Sequence, residues 1–170
     1  MDASRFIFTL DNALTETDCT SRIQSFNVVP AFNQHTKDGK WKEQEAGWKV
    51  PEYDLARFIN YYNEHVGLTL PVPATKNTET FRIKRYRPGT GEEFRTHHDA
   101  KGYYCNRYLV LLWYLNDVAE GGETVFPDLG VSIKPKAGRL LMFPPHWMFQ
   151  HAGLPPISGD KYILSTYLLY

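Results

Sequence analysis

The stretch NRYLVLLWYLND, residues 106–117, is the clearest structural element in this sequence. Tyr, Val, Leu and Trp dominate it, and it ends at a polar Asn-Asp pair. Aromatic and β-branched side chains suit a pleated, buried surface, so this composition predicts a strand and disfavours a helix.

Shorter runs of the same kind lie on both sides of it, separated by Gly, Pro and Asp. ETFRIKRY comes before it, with Phe81, Ile83 and Arg85 expected on one face and the alternating Arg and Lys directed to solvent. After it come EGGETVFP, GVSIKP, GRLLMFPP, WMFQHAG and KYILSTYLLY. About eight short strands at such spacing predict a mostly β chain with flanking helices, built on a double-stranded β-helix, the jelly roll of cupin-like proteins.

Residues 1–80 have a different pattern, which predicts both strand and helix. RFIFTL is a candidate strand, and TETDCTSRIQSF is a candidate helix with Thr15 as its N-cap. PEYDLARFINYYNEHVG has helical apolar spacing and a stop at Gly67. We therefore expect one domain over residues 1–170, in which 1–80 support a jelly-roll core formed by 81–170.

Residues 33–49 form a polar stretch that holds Trp41 and Trp48. A connection of this length in a compact domain is usually functional or disordered. Because aromatic side chains bind extended, proline-containing peptides well, we predict a mobile lid whose two tryptophans contact a substrate. The alternative is that both tryptophans pack in the core.

Composition excludes several classes of protein. The chain has 170 residues, 42% of them hydrophobic, and its 19 Lys and Arg balance 19 Asp and Glu. Nothing in this balance favours binding to nucleic acid or to an anionic membrane. No apolar run approaches the ~20 residues of a membrane span, and no signal peptide is recognisable, so we expect a soluble, cytoplasmic protein. Two separate thiols, Cys19 and Cys105, are favoured over a disulfide.

The sequence EEFRTHHDAKGYY, residues 92–104, contains a candidate metal site. Side chains at i and i+2 of a strand share a face, so His97 and Asp99 point together and His98 points away. His151 in WMFQHAG is the candidate third ligand. Two histidines and one carboxylate form the facial triad of non-haem Fe(II) oxygenases. On spacing alone, a polar strand end without a metal remains the alternative.

The surrounding motifs strengthen the metal interpretation. RYRPGTGEEFRTHHD, YLNDVAEGGETVFP, KPKAGRLLMFPP and HAGLPPISGDKY occur in this order. Over about residues 81–170 the chain resembles the prolyl 4-hydroxylase group of Fe(II)/2-oxoglutarate-dependent dioxygenases. The pattern of that group falls on Tyr86, Gly89 or Gly91, Phe94, His97 and Asp99. The resemblance thus implies that Fe(II) is bound by His97, Asp99 and His151.

The resemblance also implies a site for the cosubstrate 2-oxoglutarate. Lys161 occupies the position of the basic residue that binds its far carboxylate, and Tyr86 that of a hydroxyl donor. Without the resemblance, Lys161 would be read as an exposed lysine at the start of a strand. Tyr114 and Thr124 are candidates for lining the same pocket, with packing as the alternative role for both.

The implied activity is hydroxylation of an unactivated C–H bond, with O2 as second cosubstrate, release of succinate and CO2, and ascorbate as a candidate reductant. Asp99 favours hydroxylation because related halogenating enzymes lack this carboxylate. A prolyl residue of a peptide or protein is the first expectation. The alternatives are a free amino acid or other small molecule, or a metal-binding cupin-like protein that is not an oxygenase. His146, five residues before His151, is expected at the rim.

Overall fold

The computed structural model describes residues 2–46, 52–73, 75 and 77–170. Within them, two α-helices flank one curled sheet of eleven strands. The helices are α1 (Glu16–Val28) and α2 (Glu52–Val66). The strands are β1 (Phe8–Leu10), β2 (Phe32–Thr36), β3 (Gly39–Glu45), β4 (Arg82–Tyr86), β5 (Glu93–His97), β6 (Arg107–Tyr114), β7 (Thr124–Phe126), β8 (Val131–Ile133), β9 (Leu140–Phe143), β10 (His151–Gly153) and β11 (Lys161–Leu169). The mostly β class predicted from the sequence is confirmed.

All the strand pairs are antiparallel, and most join strands distant in the chain. The order is β1-β9-β6-β11-β4-β3-β5-β10-β7-β8, with β2 paired to β3. β3 lies between β4 and β5, so it joins the part of the sheet that begins with β1 to the part that ends with β8. Residues before position 81 therefore contribute strands to the same sheet as the residues after it.

The packing of strand β6 explains why its sequence is apolar throughout. Leu109, Leu111 and Trp113 face a core shared with the helices, where Trp113 meets Phe58 of α2. The alternate residues Val110, Leu112 and Tyr114 face the inside of the curled sheet. Both faces of β6 are buried, which removes the polar alternation expected of a strand that borders solvent.

The helices form as their sequences predict. Thr15 accepts a hydrogen bond from the Asp18 backbone N–H at 3.0 Å, and the Asp18 carboxylate accepts one from the Thr15 N–H at 3.4 Å, which completes a capping box. Buried residues of α2 face the sheet, and Gly67 ends the helix with a positive φ of 62°. No helix of the described residues is long and apolar enough to cross a membrane.

Three local predictions need correction. RFIFTL contains the last two residues of a 3-10 helix (Ala3–Phe6) and then β1, and WMFQHAG contains a 3-10 helix (Trp147–Phe149) followed by β10. His146, expected in a loop or at the rim, is exposed at the N-terminal cap of the second 3-10 helix. In β4, Ile83 faces the helices, but Lys84 on the opposite face points into the curled sheet and not to solvent.

The predicted loop at 33–49 is wrong for residues 33–45, which form the hairpin β2–β3. Its β3 strand is paired on both sides, so this part of the chain is built into the sheet. Gly39 is required where β3 passes β5, because a Cβ there would collide with the Glu93 carbonyl oxygen. Trp48 lies outside the described residues. Trp41 is buried against Tyr86 and Phe94, which matches the packing alternative.

Candidate active site

Strand ends bring three potential metal ligands together. His97 is the last residue of β5, His151 is the first of β10, and the two lie opposite each other in the register of this strand pair. Asp99 lies just beyond β5, where its backbone N–H donates to the Pro145 carbonyl at 3.0 Å. The three side chains are buried, and one ligand atom from each lies within 4.8 Å of the others. His98, which is less buried, is not part of this cluster.

Hydrogen bonds orient both imidazoles for metal binding. The Nδ1 atoms of His97 and His151 lie 2.6 and 3.0 Å from the carbonyl oxygens of Arg95 and Phe149. A carbonyl only accepts, so each Nδ1 carries the proton and each Nε2 keeps its lone pair. The His97 Nε2 is buried with no hydrogen-bond partner among the described residues, as expected of an atom that binds a metal.

The charges of the cluster suit a divalent cation. Burial lowers the pKa of His151 to about 4, so the ring is neutral near pH 7. Burial alone would raise the pKa of Asp99, but the neighbouring His151 and His97 outweigh it and hold this pKa below its usual range. The Asp99 oxygens lie 3.4 Å from the Nε2 atoms of His97 and His151. Two imidazoles and one carboxylate are the donor set of a non-haem Fe(II) centre.

Two residues that the sequence analysis missed support Asp99. The Tyr167 hydroxyl donates to Asp99 Oδ1 at 3.0 Å, and the Arg107 guanidinium donates to the Asp99 carbonyl at 3.1 Å. Arg107 is held between the rings of Tyr104 and Tyr167, at 3.9 and 3.6 Å from their centroids, and pairs with Glu79 at 2.6 Å. Their spacing from Asp99 follows no short motif, so only the strand register reveals these contacts.

A cavity extends from the cluster into the curled sheet; we call it the inner chamber. It is lined by Lys84, Tyr86, Phe94, His97, Asp99, Val110, Leu112, Thr124, Phe143, His151, Gly153, Lys161, Ile163, Ser165 and Tyr167. Tyr86 and Lys161 are direct register partners of β4 and β11. Tyr114 donates to Thr124 Oγ1 at 2.7 Å, so these two predicted lining residues form one buried contact. The structure thus brings Lys161, Tyr86 and Thr124 to one wall, with Tyr114 behind them.

Lys161 is the buried cation of this wall and not an exposed residue at a strand start. It is 2% exposed, and its Nζ lies 5.4 and 5.9 Å from the ring centroids of Tyr86 and Tyr114. Within the described ranges its ammonium has neither an ion pair nor a hydrogen bond. Burial lowers its pKa to about 7, and the more distant Glu123 only partly opposes this effect. A buried ammonium without a counter-ion is costly, so the site is suited to a ligand that brings a carboxylate.

A second buried lysine, Lys84, marks the other side of the chamber. Its Nζ lies 3.9 Å from Glu43 Oε2 and 5.5 and 5.4 Å from the ring centroids of Trp41 and Phe94. Lys84 also lines a more open cavity, the outer groove, which shares Lys84, Phe94, Asp99, Ser165 and Tyr167 with the inner chamber. The groove continues past Trp41, Glu43, Tyr104 and Arg107 towards the surface. Lys84 therefore lies where the inner chamber and the outer groove adjoin.

Comparison with known proteins identifies the family. Residues 81–169 match the model of the 2OG-Fe(II) oxygenase superfamily. A candidate prolyl 4-hydroxylase of Acanthamoeba polyphaga mimivirus is 33% identical over 94% of this chain and 72% of its own length. The chain belongs to the 2OG-Fe(II) oxygenase superfamily, and the resemblance to prolyl 4-hydroxylases is confirmed. Two further curated relatives are much longer, and the matches span 35% and 14% of their lengths.

Solved structures confirm the double-stranded β-helix. The viral collagen prolyl hydroxylase of Paramecium bursaria Chlorella virus-1, in its 2OG complex, matches with a TM-score of 0.71 and 24% identity over 95% of this chain and 94% of that one. A Trichoplax adhaerens prolyl hydroxylase, in complex with a peptide fragment of the hypoxia inducible factor oxygen degradation domain, gives a TM-score of 0.73 and 15% identity, over 98% and 84% of the two chains. At such low identity these likenesses concern the fold.

The family membership and the His-Asp-His cluster establish the class of reaction. The chain is a 2-oxoglutarate-dependent dioxygenase that uses Fe(II) and 2-oxoglutarate. The alternative of a metal-binding cupin-like protein without oxygenase activity is thereby excluded.

Proposed function

We propose that this enzyme hydroxylates a prolyl residue of a peptide or protein, and that residues 1–170 form a single dioxygenase domain supported by residues 1–80. The observation that carries the proposal is the convergence of the His97, Asp99 and His151 ligand atoms in the inner chamber, where Asp99 also borders the outer groove. The named activities of the matching relatives favour proline as the target residue.

In this proposal His97, Asp99 and His151 hold Fe(II). The Nδ1 contacts to Arg95 and Phe149 fix the two rings, and Tyr167 fixes the carboxylate. Such supporting hydrogen bonds keep the ligands in place when the metal is absent, which lowers the cost of binding it.

Lys161 and Tyr86 bind the far carboxylate of 2-oxoglutarate in the inner chamber. Thr124 lines the same wall of the chamber, and the hydrogen bond from Tyr114 positions the Thr124 side chain. The Lys161 ammonium supplies a charge-assisted hydrogen bond, and the Tyr86 hydroxyl can donate a second one. Burial raises the pKa of Tyr86 far above its usual value, so this hydroxyl keeps its proton. Gly153 lies beside Lys161, where a Cβ would be in ordinary van der Waals contact with the ammonium at 3.6 Å.

Bound Fe(II) and 2-oxoglutarate supply the oxidative chemistry, which converts 2-oxoglutarate and O2 into succinate and CO2 and transfers one oxygen atom to the substrate. The chain contributes position and exclusion of water. Val110, Leu112 and Phe143 form an apolar wall of the inner chamber. The substrate enters along the outer groove, where Trp41 presents an aromatic surface next to Phe94.

The proposal is tested with the purified chain, Fe(II), 2-oxoglutarate and ascorbate. Succinate release is measured with a proline-rich peptide and with the same peptide carrying alanine at every proline. We expect iron-dependent succinate release that the proline peptide stimulates, and a peptide mass gain of one oxygen atom per succinate. Equal release with both peptides, or an oxygen atom on another residue, would contradict the prolyl substrate.

A further inference from the structure

Lys84 is a buried cation that the reaction described above does not use. It is 8% exposed, lies on β4 two residues before Tyr86, and points into the curled sheet. It borders both the inner chamber and the outer groove, whereas Lys161 borders only the chamber. Its ammonium is therefore placed where a substrate reaches the metal-ligand cluster.

The carboxylate nearest to Lys84 is already occupied by other donors. Glu43 Oε1 accepts from Arg82 at 2.6 Å, and Glu43 Oε2 accepts from the Trp41 indole N–H at 3.0 Å. The Lys84 Nζ remains 3.9 Å from Oε2, beyond hydrogen-bond distance, and has no hydrogen bond elsewhere in the described part of the chain. The rings of Trp41 and Phe94 offer it only weak cation–π contact.

Fe(II) and 2-oxoglutarate bring no net charge that would compensate Lys84. Fe(II), the Asp99 carboxylate, doubly negative 2-oxoglutarate and Lys161 cancel one another. Glu43 then faces two cations, of which Arg82 is partly exposed and also reaches Glu45 at 3.5 Å. Arg82 lies closer to Glu43, at 2.6 Å against 3.9 Å for Lys84, so the buried Lys84 ammonium is the more weakly paired of the two cations. Burial lowers its pKa, an effect that Glu43 and Asp99 oppose.

We propose that Lys84 determines substrate specificity by binding a carboxylate of the substrate, next to the residue presented to the iron. This inference rests on the proposed prolyl hydroxylase function and narrows its substrate class. The carboxylate has two sources, the side chain of a neighbouring acidic residue or the free C-terminus of a short peptide or amino acid. Both present the same oxygen pair to the ammonium.

The experiment compares short proline peptides that differ only in charge. One pair has Glu or Gln beside the target proline, and a second pair ends in a free carboxylate or an amide. Hydroxylation is followed by mass, and binding is followed by calorimetric titration into the anaerobic complex with Fe(II) and 2-oxoglutarate. The two pairs distinguish the two sources of the carboxylate.

In the wild-type protein we expect the carboxylate member of one pair to bind at least about tenfold more tightly than its neutral partner. Lys84→Met should remove this preference, and Lys84→Arg should retain most of it. Lys42→Met is the matched control, because Lys42 lies on neighbouring β3 and pairs with Arg85 in register, on the other face of the sheet. Its carboxylate preference should equal that of the wild type.

Three outcomes would overturn the inference: equal binding of acidic and neutral peptides in both pairs, a preference that persists in Lys84→Met, or a rise in the Kd of 2-oxoglutarate in Lys84→Met as large as in Lys161→Ala. The last result would assign Lys84 to the cosubstrate. If acidic peptides bind with the expected preference but no proline is hydroxylated, the proposed prolyl activity fails and the role of Lys84 stands.

Discussion

The two ends of the inner chamber each contain a buried lysine, and the two differ in how their charges are compensated. Lys161 has no ion-pair partner in the described residues and is surrounded by Tyr86, Tyr114 and Gly153. Lys84 lies near Glu43, but at a distance of 3.9 Å and in competition with Arg82. The first end is enclosed, whereas the second opens to the outer groove. This difference suits the Lys161 end to a ligand of fixed shape, and it suits the Lys84 end to the selection of substrates.

The largest expected effect concerns the metal between the two ends. His97→Ala removes a ligand, so we expect loss of Fe(II) binding in an anaerobic titration and loss of all iron-dependent succinate release. His98→Ala is the matched control and should bind Fe(II) like the wild type, because His98 lies outside the ligand cluster. If the two variants behave the other way round, the assignment of the ligand is wrong.

Next in size is the loss of Lys161. Removing one partner of a buried charge pair costs about 3–5 kcal/mol. In Lys161→Ala we therefore expect the Kd of 2-oxoglutarate to rise by about two to nearly four powers of ten, while the Kd of Fe(II) changes little. Lys134→Ala, at an exposed lysine, is the control. An unchanged Kd for 2-oxoglutarate in Lys161→Ala would place the carboxylate site elsewhere.

A smaller effect is expected at Tyr167, which steadies Asp99. Tyr167→Phe removes the hydroxyl that donates to Asp99 Oδ1 and keeps the ring against Arg107. Loss of such a supporting contact commonly weakens metal binding by about 10–100-fold. The Kd of Fe(II), measured by anaerobic titration, should rise by this factor. Tyr170→Phe, at the exposed end of the chain, serves as control; equal Kd values for the two variants would refute the role of Tyr167.

The smallest effect is a pH dependence at the enclosed end. Lys161 has a pKa of about 7 in the free protein, and a bound carboxylate favours its charged form. Binding of 2-oxoglutarate should therefore be tightest below about pH 7 and weaken above it, by at most about tenfold per pH unit. The Kd is measured with Fe(II) saturating. Lys161→Ala should lack this component, and an identical pH profile in both proteins would contradict it.

The lowered pKa of Lys161 also affects the free energy of unfolding, and here the pH dependence is opposite to that of 2-oxoglutarate binding. Between about pH 7 and pH 10.5, the unfolded chain binds more protons at Lys161 than the folded chain does. The contribution of Lys161 to the free energy of unfolding thus rises with pH across this window.

Sequence reasoning succeeded where a residue's environment follows from local pattern. The strand β6 and the Thr15 cap depend on neighbours a few positions away. His97 and Asp99 do join one cluster, although Asp99 lies beyond the end of β5, where strand alternation no longer applies. The jelly roll and the candidate cosubstrate wall were accessible through several motifs that occur in a fixed order.

Sequence reasoning failed where the environment of a residue depends on strands that are distant in the chain. β3 looks like a polar loop because its inward Glu43 is compensated by Arg82, 39 positions later. Lys84 looked like a solvent-facing residue, since alternation alone does not tell which face of β4 encloses a cavity. Tyr167 meets Asp99 across 68 positions, a contact that only the folded register creates.

Lys161 is thus assigned to the cosubstrate and Lys84 to the substrate. The most direct test measures the binding of both ligands to variants of both lysines. The Kd of 2-oxoglutarate and the Kd of an acidic proline peptide are measured anaerobically, with Fe(II), in wild type, Lys161→Ala and Lys84→Met. We predict that Lys161→Ala weakens mainly 2-oxoglutarate and that Lys84→Met weakens mainly the peptide. Parallel losses of 2-oxoglutarate affinity in both variants would contradict the division of the chamber into a cosubstrate end and a substrate end.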